Sequence, residues 1–176
     1  MISSAFDLGE QIELRSLDYR LHQSLWFKYD LSDIDLSFQN WTTIKYLNDD
    51  GTGFHSEVDT LPNSKGGLYM FFVKCPVIKG ITEFPFYIGR AKLTDGQNLR
   101  KRCKEYFSKY SRDGERPKIT RMFRYWSKDL FLSYFVLENN FAIVDYEKKL
   151  INSLLLPMND QIPDKEIRQA VKAFEL

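Results

Sequence analysis

At 176 residues the chain fits one domain, or one domain with an extension, and 43% hydrophobic with 28% charged residues is a composition that can build a core, which excludes a disordered tail. No apolar run approaches a membrane span, the acidic start (Asp7, Glu10, Glu13) is not a signal peptide, and two cysteines, Cys75 and Cys103, exclude a disulfide framework or a four-ligand zinc site, so a reducing, cytoplasmic setting is expected. The net charge of +1 hides an asymmetry: residues 1–64 carry eleven acidic and four basic side chains (−7), whereas 98–128 carry eleven basic and three acidic (+8).

Leu14, Leu17 and Leu21 share a helical face, with Leu25 and Trp26 one turn on, which predicts a helix within 11–28. The stretch from Asp30 to Asp35 reads as a turn or a helix start capped by Ser32. Trp41 to Leu47 alternates loosely, and Asn48-Asp49-Asp50-Gly51 is a turn signal. Pro62, Asn63, Ser64 and two glycines place a boundary near residue 65. Trp26, Phe27, Trp41 and Tyr46 are aromatic anchors that predict an extension, 1–65, packed on the remainder of the chain.

The run Leu68-Tyr69-Met70-Phe71-Phe72-Val73 suits a strand buried on both faces, and Phe84 to Gly89 a second strand in an antiparallel hairpin with it. Asn98 is a fit N-cap for a helix in which Leu99, Arg102, Cys103, Tyr106 and Tyr110 fall on one face. Asp113 to Pro117 breaks the chain. Ile119 to Trp126 is a further helix, Leu130 to Leu137 a third strand, and a helix from Asn139 or Asn140 runs to Leu155 ahead of Pro157. A last helix lies between Ile162 and Phe174. The order predicts an α+β domain over 66–160, a small three-stranded antiparallel sheet flanked by helices, with a C-terminal helix in 161–176.

Two charges stand where apolar residues belong. Glu147 sits mid-stripe among Ile143, Val144, Leu150, Ile151 and Leu154, and a buried carboxylate needs a cation, a metal or a proton. Arg102 interrupts the stripe of Leu99, Cys103 and Tyr106, either as partner to Glu147 or as a clamp on phosphate. The basic block at 98–128 is a solvated face or a binding face for phosphate backbones, through Arg100, Lys101, Lys104, Arg121 and Arg124. Its charge opposes that of residues 1–64, which predicts either a gate over that face or, with the aromatic anchors, plain core packing. His22 and His55 have no ligand-like neighbours.

Together Gly67-Leu68-Tyr69, Tyr87-Ile88-Gly89, Arg90, Arg102 with Tyr106 four residues on, Glu147 and Asn159 resemble the GIY-YIG nuclease family, with Leu68 where the family has Ile and a longer gap between the tyrosines. The resemblance implies a DNA endonuclease that uses Mg²⁺, or Mn²⁺ in its place, held by Glu147. It implies Tyr69 as general base, its phenolate favoured by nearby positive charge, and Arg102 on the scissile phosphate. Tyr87, Arg90 and Tyr106 would support water and phosphate, and Asn159 would brace the site. The alternative is a non-catalytic module on the same scaffold that binds nucleic acid, or a protein partner through the acidic segment.

Overall fold

Strand β2 (Gly66–Lys74) is buried along nearly all its length, and the rest of the fold is laid around it. In this computed structural model, which describes residues 4–78 and 80–174, β2 pairs antiparallel with β3 (Glu83–Ala91) on one side and with β4 (Leu130–Leu137) on the other. A fourth strand, β1 (Thr42–Lys45), pairs antiparallel with β4, so the order is β1-β4-β2-β3 and the expected three-stranded sheet is corrected to four. Only Ile44 of β1 is buried, and four residues with one inward side chain give little period-2 signal.

Alternation along β2 divides the core. Tyr69, Phe71 and Val73 meet helices α3 (Leu99–Tyr110) and α4 (Pro117–Trp126) through Leu99, Cys103, Met122 and Phe123. Leu68 and Met70 meet helix α5 (Asn140–Leu154) through Ile143, Leu150 and Ile151 on the other face. Asn98 caps α3 by accepting from Lys101 N at 2.9 Å, and Asn139 caps α5. Leu155 ends α5 in the left-handed region (φ 46°), ahead of Pro157. Helix α6 (Lys165–Lys172) comes next, capped by Asp164.

Residues 4–65 form a strap around this unit. The expected helix in 11–28 is corrected to two: α1 (Ala5–Leu14) and one turn, α2 (Gln23–Trp26). Between them the backbone is drawn off by side chains elsewhere. Arg121 of α4 donates to Leu14 O and Ser16 O at 2.7–3.2 Å, and the Tyr19 hydroxyl donates to Pro85 O of β3 at 3.0 Å. The strap then packs Leu25 and Tyr29 beside α6, and Leu31, Ile34, Leu36 and Trp41 against the α5 side. It returns through β1 to the α3–α4 side, where Tyr46, Leu47, Val58 and Leu61 are fully buried in the larger core. Trp26 and Phe27 are 44% and 80% exposed, so Leu25 and Tyr29 anchor that stretch in their place. The Asp30–Asp35 stretch is a turn in which Asp30 accepts from Ser32 N. Among the described residues no helix is long and apolar enough to cross a membrane.

Candidate active site

As the last strand in the sheet, β3 has a free edge whose N–H and C=O groups need partners. Asn159, just after α5, supplies them: its Oδ1 accepts from Ile88 N at 3.0 Å and its Nδ2 donates to Ile88 O at 2.8 Å. Met158 N donates to Phe86 O at 3.0 Å beside it. Asn159 is buried and braces the loop against the strand. Beyond this edge lies a cleft of about 1080 Å³, walled by α3 and the start of α4 on one side and by α5 and α6 on the other.

Every predicted catalytic residue lines that cleft: Tyr69, Tyr87, Arg90, Arg102, Tyr106, Glu147 and Asn159. Register explains how the tyrosines meet. Tyr69 of β2 stands opposite Gly89 of β3, and a Cβ on Gly89 would fall 2.6 Å from the Tyr69 hydroxyl, so the ring needs a glycine beneath it. Tyr69 Oη and Tyr106 Oη are 2.8 Å apart, and Tyr106 donates to Tyr87 Oη at 3.0 Å. A phenol has one proton. Tyr69 must therefore donate to Tyr106, and the relay runs from Tyr69 through Tyr106 to Tyr87. Exposure rises the same way: 0%, 2% and 7%. Tyr87 is the member placed to exchange a proton with the cleft.

Arg102 ties this relay to the wall. Its Nε donates to Tyr69 Oη at 3.3 Å, its Nη2 to Tyr106 Oη at 3.2 Å, and its Nη1 to Glu105 Oε2 at 2.7 Å. Gln97 Nε2 holds the other Glu105 oxygen at 2.8 Å. Burial outweighs the guanidinium at Tyr69: desolvation, then the neighbouring tyrosines, push its phenol well above the ordinary value, and Arg102 pulls back only in part. Arg102 thus acts in the direction expected of positive charge beside Tyr69, but alone it does not offset the burial. Tyr106 is raised in the same direction, again chiefly by burial.

Glu147 reaches the cleft from α5, with 11% of its side chain exposed, and its Oε2 accepts from Arg90 Nη1. Of the partners left open by the sequence, the one in place is a cation, and it is Arg90, not Arg102. Among the described residues no group of three or more His, Cys, Asp or Glu stands together, and Glu147 is the cleft carboxylate expected to hold a metal.

None of Arg100, Lys101, Lys104, Arg121 and Arg124 lines the cleft. Arg100 donates to Leu61 O at 2.7 Å and Asp59 O at 2.6 Å, Lys104 pairs with Asp59 at 2.7 Å, and Arg121 holds the Leu14 and Ser16 carbonyls. These three fasten the strap. Lys101 Nζ donates to Gly96 O of the preceding loop at 3.4 Å, and Arg124 is exposed. The cleft takes its charge from other positions: half-buried Arg116 and Arg168, and exposed Lys92, Lys109, Lys148 and Lys172. With Arg90 and Arg102 these are eight basic groups against Glu105, Glu115, Glu147 and Asp160, a balance of +4. Arg116 lies with its guanidinium 5.5 Å from the Tyr87 ring centroid and near Glu115 and Asp160. It sits in the stretch read only as a chain break, and no spacing pattern distinguishes it there. No family model, no curated protein and no solved structure matches the chain, so what the cleft does must be argued from its own chemistry.

Proposed function

We propose that the chain is a Mg²⁺-dependent DNA endonuclease of the GIY-YIG type, hydrolysing phosphodiester bonds by metal-assisted attack of water. One observation carries the reading: seven residues drawn from β2, β3, α3, α5 and the loop after α5, chosen by motif across ninety positions, line a single cleft. On this reading β2, β3 and β4 with α3, α4 and α5 are the nuclease scaffold, and β1 with the strap is an addition to it.

The residues fit the metal by donor type. A hard divalent ion that keeps most of its waters needs few protein ligands, and Glu147 offers a carboxylate at the wall of an open cleft. Arg90 competes for that carboxylate and would turn toward phosphate when the ion binds. Bound there, Mg²⁺ supplies charge neutralisation at the phosphate and at the leaving oxygen. The chain's own residues do the rest. Arg102 presents a half-buried guanidinium, matched to phosphate geometry and fixed by Glu105. Tyr87 first gives its own proton to the water of the cleft and then, as the phenolate, takes the proton of the attacking water; Tyr106 and Tyr69, lined up behind it as successive donors, favour that phenolate. Tyr69 thus serves the base from the back of the relay.

The Arg90–Glu147 ion pair favours a second reading, a module that binds nucleic acid without cutting it, because that pair satisfies the carboxylate with no metal. Supercoiled plasmid incubated with the protein, with and without Mg²⁺, separates the two. The nuclease reading expects nicking that needs Mg²⁺ and disappears in Glu147→Ala, with DNA binding retained. Binding without nicking under any divalent ion would leave the module, and Mg²⁺-dependent nicking by Glu147→Ala would remove Glu147 from the site.

A further inference from the structure

Helix α6 lies outside the stretch that carries the motifs, yet it forms part of the cleft wall. Its placement is fixed from behind. Ile167 is buried and, with Val171, packs on Leu155, Ile162, Leu25 and Tyr29. Asp164 caps it by accepting from Glu166 N at 2.9 Å and Ile167 N at 3.1 Å, and the same carboxylate accepts from Tyr29 Oη at 2.8 Å and Lys28 Nζ at 3.2 Å. Asn152 of α5 accepts from Asp164 N at 3.0 Å. The helix is therefore pinned to both α5 and the strap.

Arg168 and Lys172 line the cleft from α6, and their i,i+4 spacing puts them on one side of it. Arg168 differs from the other cleft arginines. Arg90, Arg102 and Arg116 each pair with a carboxylate, Glu147, Glu105, or Glu115 with Asp160. Among the described residues no carboxylate pairs with Arg168, whose Nη1 donates instead to Ile162 O at 3.0 Å. A neutral carbonyl leaves the guanidinium's charge uncompensated and other N–H groups of its fork available. Lys172, exposed on the same side, adds a second charge at the rim. An anion entering the cleft would find uncompensated positive charge on this wall, across from the relay and Arg102.

We infer that Arg168 and Lys172 form a second phosphate-binding subsite, which holds a backbone phosphate flanking the scissile one in the bound DNA strand. The inference rests on the nuclease reading for its substrate. It makes α6 a substrate-gripping element and requires a strand that spans both walls. Small phosphodiesters, which reach only the relay wall, would not use it.

Binding and cleavage can be read separately. Anisotropy titrations of a fluorescein-labelled DNA duplex, with EDTA present so that no cutting occurs, are run from 50 to 200 mM salt on the full chain, Lys172→Ala and Arg168→Lys. Lysine keeps the charge and loses the fork, and Lys172 is exposed, so neither change removes core packing; thermal melts check this. Lys172→Ala is expected to lower the salt slope by about 0.9, the equivalent of one phosphate left unneutralised. In nicking assays both variants raise KM several-fold with kcat within twofold, and hydrolysis of bis(4-nitrophenyl) phosphate is unchanged. A wild-type protein that binds DNA while Lys172→Ala keeps the full slope overturns the subsite and leaves the nuclease reading standing. A wild-type protein that neither binds nor cuts DNA overturns both. A fall in small-diester hydrolysis equal to that on DNA would also overturn the subsite, since it would place these residues at the reacting phosphate.

Discussion

The two sides of helix α3 carry similar charge and do different work. Arg100 and Lys104, four apart, face the strap and end on Leu61 O, Asp59 O and the Asp59 carboxylate. Arg102, Glu105, Tyr106 and Lys109, at i, i+3, i+4 and i+7, face the cleft. One side holds the fold together and the other faces open solvent space. Counting charges in a window cannot tell them apart, because a helix turns successive residues by about 100°. What separates them is the partner: backbone carbonyls and an acidic strap on one side, phenols and an open groove on the other.

The largest break of that comparison is removal of the strap. Deleting residues 1–60 takes away β1 and the fully buried Tyr46, Leu47 and Val58, and it removes the Asp59 carbonyl on which Arg100 Nη2 ends. Tyr46 alone donates to Cys103 O at 2.5 Å and stacks on Phe123. The truncated chain is expected to show no cooperative thermal transition. A folded truncation that binds DNA more tightly at low salt would instead restore the idea of an acidic gate.

Single changes on α3 sharpen the contrast. On the nuclease reading, Arg102→Ala should lower the single-turnover cleavage rate at least about a hundredfold, since it removes the proposed phosphate donor and a tether of the relay. Arg100→Ala should leave that rate within twofold. It loses two charge-assisted hydrogen bonds, a cost of roughly 2–3 kcal/mol, which moves Tm down by roughly 5–10 °C. Reversed results, a stability loss at 102 and a rate loss at 100, would mean the strap side is the working one. The relay has its own test: Tyr87→Phe should cost more in rate than Tyr69→Phe, because Tyr87 is its outlet. The opposite order would return the base role to Tyr69.

Smaller effects arise from where the salt-sensitive groups lie. Lys109→Ala with Lys148→Ala, both exposed at the rim of the cleft, should flatten the salt dependence of DNA binding by about one unit of slope for each phosphate no longer neutralised. Lys104→Ala should not change the slope, because its ammonium already lies on Asp59. A flatter slope for Lys104→Ala alone would place the DNA along the strap.

The sequence made the central elements legible for physical reasons. A six-residue apolar run rich in aromatic residues, preceded by two glycines, suits a strand buried on both faces, and β2 is one. Asn98 and Asn139 announced their helices by cap chemistry, and β4 stands at the predicted bounds. Glu147 declared itself by standing where a hydrophobe belongs. Illegible were the features set by partners distant in sequence. β1 is a strand because β4 needs an edge partner, not because Thr42 to Lys45 insists on it. Residues 16–22 are not helical: Arg121 holds the Ser16 carbonyl and the Tyr19 hydroxyl reaches out to Pro85 O. Which of two cations meets Glu147, and that Arg116 and Arg168 share its cleft, depend on how α4 and α6 are placed, and no local pattern encodes that.

Asp164 is where strap and cleft wall share one group, and it offers the finest test. Its carboxylate is held down to about 2, first by the Ile167 N–H, then by the Tyr29 hydroxyl and Lys28. In the unfolded chain the same group titrates near the ordinary value of about 3.9. A depressed folded value means the unfolded state binds the proton first as pH falls. The stabilisation is therefore complete above about pH 4 and is lost progressively between about 4 and about 2. Other carboxylates, among them Asp59 and Glu105, are lowered too, so the total acid sensitivity is not the readout. The difference between wild type and Asp164→Asn is. Asparagine still accepts from the Glu166 and Ile167 N–H groups as an N-cap, but it has no charge to lose. Melting curves of the two proteins should run roughly parallel above pH 5 and converge as the pH falls from 4 to 2. Parallel curves across the whole range would mean that α6 is held by Ile167 and Val171 packing alone, and that the strap can leave this wall without moving it.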